Sequence, residues 1–183
     1  TMLPGSVITT LNSTSDAVVI TVNNLGGGTG DAIIQLITTA KDCGPTLGRV
    51  TIDANGGAVV DGNAGSVNVV SGATILLGQE GVGSAIDTFD TEVGMTEGVG
   101  GSGGFYVLNT GNLTVGGLSA TIGISTTTGD IDLRTTGSLT VTEDVDSTGA
   151  TGNILLSAIE SAGFGSDLTI NDNLSIKIGR AHV

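Results

Sequence analysis

The sequence predicts an all-β chain wound as a parallel β-helix, a β-solenoid with coils of about 25 residues. Three observations lead there: short β-branched runs punctuated by Gly, Asn, Asp and Ser, an internal repeat of constant spacing, and alternation of aliphatic and polar residues within each repeat. An irregular β-sandwich array is the alternative architecture.

Composition sets the class. Hydrophobic residues make up 38% of the 183 and aromatics only 2%, so the core must be built from Val, Ile, Leu and Ala. Gly occurs 32 times, a density that destabilises helices because each Gly costs backbone entropy and contributes no side chain. Two Pro and no Gly-X-Y period exclude collagen, and the aliphatic content is too high for a purely disordered tract.

The predicted strands are Val7–Leu11, Ala17–Val22, Ala32–Ile37, Val50–Asp53, Ala58–Val60, Val67–Val70 and Thr74–Leu77. After a looser stretch over about 79–103 come Phe105–Leu108, Leu113–Val115, Ile131–Leu133, Leu139–Val141, Ile154–Ser157 and Leu168–Ile170. The segment Asp31 to Gly44 also places Ile33, Leu36, Ile37 and Ala40 on one helical face, but its Ile and Thr content favours strand.

The repeat lies in the second half. Gly104-Phe105-Tyr106-Val107 leads into Thr110-Gly111-Asn112-Leu113-Thr114-Val115, and Asp130-Ile131-Asp132-Leu133 leads into Thr136-Gly137-Ser138-Leu139-Thr140-Val141. The step from Phe105 to Ile131 equals the steps from Val107 to Leu133, Gly111 to Gly137 and Leu113 to Leu139. A third copy starts at Gly152-Asn153-Ile154 and resumes at Asp167-Leu168-Thr169-Ile170 after an insertion around Gly163-Phe164-Gly165. Period two turns Phe105, Val107, Ile131, Leu133, Leu113, Val115, Leu139 and Val141 to one face and Tyr106, Asp132, Thr114 and Thr140 to the other. Stacked at ~4.8 Å, each aliphatic residue would lie on its counterpart in the next coil, and roughly seven coils would make a rod ~30–35 Å long.

The formal charge of −13 leaves no basic stripe to release phosphate counterions, which argues against nucleic acid and against anionic membrane surfaces as partners. No run of 18 apolar residues is present to insert as a membrane helix. A single Cys, Cys43, excludes an internal disulfide. Nothing at Thr1-Met2-Leu3-Pro4 reads as a signal peptide, and residues 178–183, Ile178-Gly179-Arg180-Ala181-His182-Val183, read as a non-native tail translated from a sequencing adapter. The expectation is a single solenoid over residues 1–177, cut from a longer polypeptide that continues at both ends.

Candidate chemistry is sparse, and no residue is assigned a catalytic, cofactor-binding or metal-ligating role. A Ser or Cys nucleophile needs an imidazole, and the one histidine, His182, falls in the suspected tail. Gly100-Gly101-Ser102-Gly103-Gly104 matches the nucleophile elbow and Gly98-Val99-Gly100-Gly101-Ser102-Gly103 the dinucleotide fingerprint. A Gly-rich tract produces both by chance, and a strand rather than a helix follows. Cys43 reads as a turn residue. Calcium is the one cofactor the residues would suit, through Asp87, Asp90 and Glu92 in one loop or Glu143, Asp144 and Asp146 in another. Gly27-Gly28-Thr29-Gly30-Asp31, however, lacks the spacer of the calcium nonapeptide. Solvated acidic loops are the simpler reading. Asp130, Asp132 and Arg134 share one outward face, the geometry a polysaccharide-cleaving β-helix would need, and equally that of a solvated strand.

Several stretches resemble the large repetitive bacterial exoproteins related to filamentous haemagglutinin. They are Gly57-Ala58-Val59-Val60-Asp61-Gly62-Asn63, Ile75-Leu76-Leu77, Gly81-Val82-Gly83-Ser84, Asp90-Thr91-Glu92-Val93, Asn109–Gly116 and Gly129-Asp130-Ile131, covering about residues 50 to 175. The first 50 residues, with Lys41-Asp42-Cys43-Gly44-Pro45, depart from the pattern. The resemblance implies export to the cell surface or medium, a fibrous parallel β-fold and a role in adhesion or biofilm formation; the expected partners are surface glycans or proteins of host or neighbouring cells. It carries over no catalytic residue. A polysaccharide-degrading β-helix and a calcium-stabilised module are the alternatives.

Overall fold

The structure is a computed structural model that describes residues 1–23, 28–41, 48–119, 123–149, 151–160 and 165–178. Cys43, His182 and most of the suspected tail lie outside the described residues, as does part of the Gly27–Asp31 motif.

Short β-branched runs between Gly- and Asn-bearing corners give strands and, among the described residues, no helix. An incomplete opening turn holds β1 (Val7–Thr9) and β2 (Val18–Thr21). Three turns follow: β3 (Ala32–Ile34), β4 (Leu36–Thr38) and β5 (Val50–Asp53); β6 (Ala58–Asp61), β7 (Val69–Val70) and β8 (Ala73–Leu77); β9 (Gly81–Val82), β10 (Phe89–Glu92) and β11 (Met95–Gly101). Three more complete the stack: β12 (Phe105–Asn109), β13 (Leu113–Val115) and β14 (Ile124–Thr126); β15 (Ile131–Thr135), β16 (Leu139–Val141) and β17 (Val145–Ser147); β18 (Ile154–Ala158), β19 (Leu168–Ile170) and β20 (Ile176–Ile178). The chain is a parallel β-solenoid of about six turns, ~25 residues apart.

The expected register holds. Phe105 pairs with Ile131 and Val107 with Leu133, and Leu113 and Val115 with Leu139 and Val141. The third copy continues the columns: Ile154 lies on Ile131, and Leu168 and Ile170 on Leu139 and Val141. Every strand-to-strand pairing is parallel, which rules out the sandwich array, whose sheets would be antiparallel. Asp31–Gly44 is strand, not helix, over β3 and β4, with residues 42–44 outside the described set.

One expectation is corrected. The stretch 79–103 is not loose: it carries β9, β10 and the longest strand, β11. Met95-Thr-Glu-Gly-Val-Gly-Gly has little intrinsic strand preference, but β8 below and β13 and β14 above satisfy its backbone, and pairing overrides propensity. Its glycines have packing reasons. A Cβ on Gly98 would fall 2.4 Å from the Phe105 ring, and one on Gly101, whose φ is +46°, would fall 2.0 Å from the Gln79 carbonyl oxygen.

Two ten-stranded sheets line the solenoid, and their corners shift halfway up. In the lower turns the first sheet is two panels, β3-β6-β9 and β1-β4-β7-β10, and the second is one panel, β2-β5-β8-β11. At β12 the two panels fuse: Phe105 lies on Val82 of β9, while Val107–Asn109 lie on Phe89–Thr91 of β10. Conversely, β11 serves two strands, pairing through Met95 and Thr96 with β13 and through Gly98–Gly101 with β14. The upper turns therefore have one panel in the first sheet and two in the second.

Inward apolar side chains fill the interior: Ile34, Ile37, Ile52, Leu76, Phe89, Phe105, Leu113, Ile124, Leu133 and Leu139 are all fully buried. Each is worth ~1.5–3 kcal/mol of transfer from water. Polar rungs close the first-sheet strands. Asn109, fully buried, accepts from the Thr91 hydroxyl and the Val93 amide (both 2.9 Å). Asparagines also stabilise corners: Asn23 and Asn55 both adopt positive φ, and their amides donate to Ala54 and Val22 carbonyls across the turn.

Candidate functional site

Period two leaves the outer face of the first sheet to polar residues. Register puts Tyr106, Asp132 and Leu155 in one outward column and Leu108, Arg134 and Ser157 in the next, with Asp90 beside Leu108 one turn down. Asp132 and Arg134 point outward from β15 as alternation predicts, and Asp130 precedes the strand. The Arg134 guanidinium donates through Nε and Nη2 to the two oxygens of Asp132, at 2.7 and 2.6 Å. Asp130 accepts from the Asn153 amide nitrogen at 2.7 Å and its side chain at 3.0 Å. The two carboxylates are thus held by neighbours, an arrangement suited to presenting a fixed polar surface.

Tyr106, the only Tyr in the chain, sits in that surface. Its phenol is held above the ordinary value of 10.0, first by burial and then by the negative charges of Asp130 and Asp132. Asp132 in turn holds the Arg134 guanidinium more firmly protonated, chiefly through their hydrogen bonds. Asp132→Asn is therefore expected to lower the Tyr106 pKa without restoring it fully, since burial remains; absorbance titration at ~295 nm reads a single tyrosine. The same substitution should change stability by less than ~1 kcal/mol, because the ion pair is at the surface.

The acidic groups proposed for calcium are dispersed among other partners. Asp90 and Glu92 stand on β10 rather than in a loop, and Glu92 pairs with Lys41. Thr88 donates to Asp90 at 2.8 Å, and Asp87 closes a turn with Ser84. Glu143 accepts from the Gly117 and Gly123 amides (2.9 and 3.1 Å), Asp144 accepts from the Ser175 amide (2.8 Å), and Asp146 lies on β17 in register with Lys177. Among the described residues, no three acidic, His or Cys side chains converge as a metal cage.

The Asp90 carboxyl is held above its ordinary 3.8, mainly by burial, with the Thr88 hydrogen bond opposing and the charges of Asp61 and Asp87 adding to the rise. A raised carboxyl contributes stability that is complete below 3.8 and is lost as pH climbs through the folded-state value. Asp90→Asn should therefore stabilise the chain at pH 7 by about 0.2–1 kcal/mol, the scale of a solvent-screened charge contact, with the two proteins converging below pH ~4. Denaturant midpoints at the two pH values check it.

Sequence reasoning missed a second acidic device. Glu97 points outward from β11, in register with Ile75, yet is fully buried. The link from β13 to β14 covers it: the Leu118 and Ser119 amides donate to Glu97 Oε1 at 2.5 and 3.1 Å, and the Ser119 hydroxyl donates to Oε2. Glu143, two turns above Glu97, holds the same link from its other side, and Arg49 Nη1 reaches the Leu118 carbonyl at 3.0 Å. This strap braces several turns along the outside of the second sheet. Only a buried outward carboxylate betrays it, and alternation alone does not announce one.

Of the fingerprint glycines, Gly98 and Gly100 belong to β11 and Gly103 follows it; Ser102 sits in the turn after the strand, its hydroxyl 3.3 Å from the Gln79 carbonyl. Beside the Lys41–Glu92 pair, a furrow of about 380 Å3 follows the corner, lined by Gly72, Gly94, Met95 and Gly111. No helix of the described residues is long and apolar enough to cross a membrane.

No family model, curated protein or solved structure matches the chain.

Proposed function

We propose that this chain is a structural and adhesive segment of a secreted or cell-surface bacterial protein, akin to the filamentous-haemagglutinin-like exoproteins it resembles. It is a stiff, non-catalytic rod that carries weak contacts to glycans or proteins of neighbouring cells. The observation that carries this reading is the parallel ladder, which links strands from the first turn to the last across both sheets. Six turns at ~4.8 Å give a body ~30 Å long whose backbone groups are consumed in stacking. The charge of −13 favours dispersion and a solvated surface. The outward carboxylates with the best claim to hydrolytic chemistry, Asp130 and Asp132, serve Asn153 and Arg134 instead.

A spacer that works by many weak contacts gains through avidity. Beads coated with the chain should adhere to bacterial or host cells at least ~100-fold better than the soluble chain competes for the same cells. Equal potency of the two forms, or no bead adhesion, would sink the reading. Turnover of a polysaccharide that is lost in Asp132→Asn would replace it with the enzymatic alternative.

A further inference from the structure

We propose that the hairpin of residues 83–88 is the rod's contact element, with Ile86 and Asp87 at its tip seating in an apolar pocket rimmed by basic side chains on a protein of the neighbouring cell. The inference rests on the adhesive reading above and adds to it the part of the surface that makes contact.

Register forces the hairpin outward. Val82 lies beneath Phe105 and Phe89 beneath Val107, so residues 83–88 span a gap that Tyr106 alone spans in the turn above. The surplus chain has no room in the core, which Val82, Phe89 and Phe105 fill, and it loops out where the ridge between β9 and β10 ends. Its root is fixed on both sides. Gly83, at φ +58°, donates to the Val59 carbonyl (2.9 Å), and a Cβ there would collide with the Tyr106 carbonyl and the Phe89 amide. After the tip, the Thr88 hydroxyl donates to Asp90 (2.8 Å). Ser84 and Asp87 close the turn between them. The Ser84 amide donates to the Asp87 carbonyl (2.8 Å), and the Asp87 amide donates to the Ser84 carbonyl and hydroxyl (3.3 and 3.1 Å). A loop held this way has little conformational freedom left to lose on binding.

What the tip presents serves no purpose in the fold. Ile86 is 98% exposed and, among the described residues, is the one large exposed apolar residue on the body of the rod, away from its first and last turns. Turn chemistry does not ask for it either: Gly, Asn, Asp or Pro suits a central turn position better than a β-branched side chain. A lone apolar residue on a surface is ordinary, but this one is held out on a closed turn beside a free carboxylate. Asp87 is exposed, the turn uses only its backbone, and among the described residues no side chain pairs with its carboxylate. The charges of Asp87 and Asp61 both act on Asp90 at the foot of the hairpin, so the surroundings are negative. The partner must therefore offer a cavity for an aliphatic side chain with positive charge at its edge. A glycan has no closed apolar pocket, and an anionic membrane surface repels the carboxylate. A protein pocket lined by apolar side chains, with Arg or Lys at the rim, meets both demands.

The test coats beads with the whole chain and offers them to bacterial or host cells at about 0.15 M salt. Ile86→Ser should reduce adhesion at least ~tenfold, the scale for withdrawing an aliphatic anchor from its pocket, whereas Ile86→Leu should stay within ~threefold of the parent. Asp87→Asn should reduce adhesion ~threefold or more, and its difference from the parent should close as salt rises to ~0.5 M and screens the carboxylate. Melting midpoints of the three variants should match the parent within ~1 °C, because neither side chain makes a contact that holds the fold. Brief protease treatment of the cells should abolish adhesion, and EDTA should leave it unchanged. Parental adhesion that survives Ile86→Ser overturns the hairpin and leaves the adhesive reading standing, whereas no parental adhesion at all overturns both. Adhesion that persists on protease-treated cells, or that EDTA abolishes, would put a glycan or a bound metal in place of the basic pocket and overturn it.

Discussion

Glu97→Ala is expected to destabilise the chain by about 2–4 kcal/mol, the cost of stripping a buried acceptor from several donors that stay behind. The Leu118 and Ser119 amides lose their bonds to Glu97 Oε1, and the Ser119 hydroxyl loses its bond to Oε2. At ~2–4 °C per kcal/mol for a chain of this size, the melting midpoint should fall by roughly 5–15 °C. Glu97→Gln keeps an oxygen for the two backbone amides and should cost about 1 kcal/mol, which separates the loss of those two bonds from the loss of the second oxygen. Proteolysis supplies an independent readout: cleavage near Leu118 should accelerate in the alanine variant before the ladder itself is cut. An alanine variant that melts within a degree or two of the parent would mean that the strap does not rest on Glu97.

Phe105→Ala should cost more, about 3–5 kcal/mol, the range for emptying a fully buried aromatic site. Phe105 starts the strand where two panels become one, touching the column of Val82 below and Ile131 above. Its ring fills the space that Gly98 leaves open, so the two positions are coupled. Gly98→Ala should destabilise by about 1–3 kcal/mol in the parent and by less in a Phe105→Leu background. The rescue is partial, because a Cβ on Gly98 would also lie 2.6 Å from the Leu76 carbonyl oxygen. Denaturant titrations of the four proteins close the cycle; strictly additive losses would show that the ring and the glycine do not meet.

The upper half of the ladder was legible because its repeat keeps one spacing: Phe105 stands to Ile131 as Leu113 stands to Leu139, and alternation names their inward partners. The lower half hides the same geometry behind unequal spacings, the step from Ala32 to Val59 being longer than the next step in that column, from Val59 to Val82. Strands β14 and β17, Ile-Ser-Thr and Val-Asp-Ser, are too short and polar to be recognised singly, and they form because neighbours above and below supply their hydrogen bonds. The shared face of Asp130, Asp132 and Arg134 follows from period two, and the approach of Tyr106 follows from the constant offset between copies. Which carboxylate grips which donor does not follow, because pairing depends on side-chain reach and on where loops fold back. Glu97 is the clearest case. Its burial is decided by a link that comes much later in the chain, and no periodic pattern fixes the path of such a link.

The exchange of panels between the two sheets makes the rod's long sides discontinuous. A contact that grips the ridge between two panels in the lower half, followed upward along the same azimuth, runs onto smooth sheet at β12, while on the opposite side a new ridge opens above β11. The molecule therefore carries polarity in its relief as well as in its chain direction, and a partner feeling only shape could tell which way the rod points.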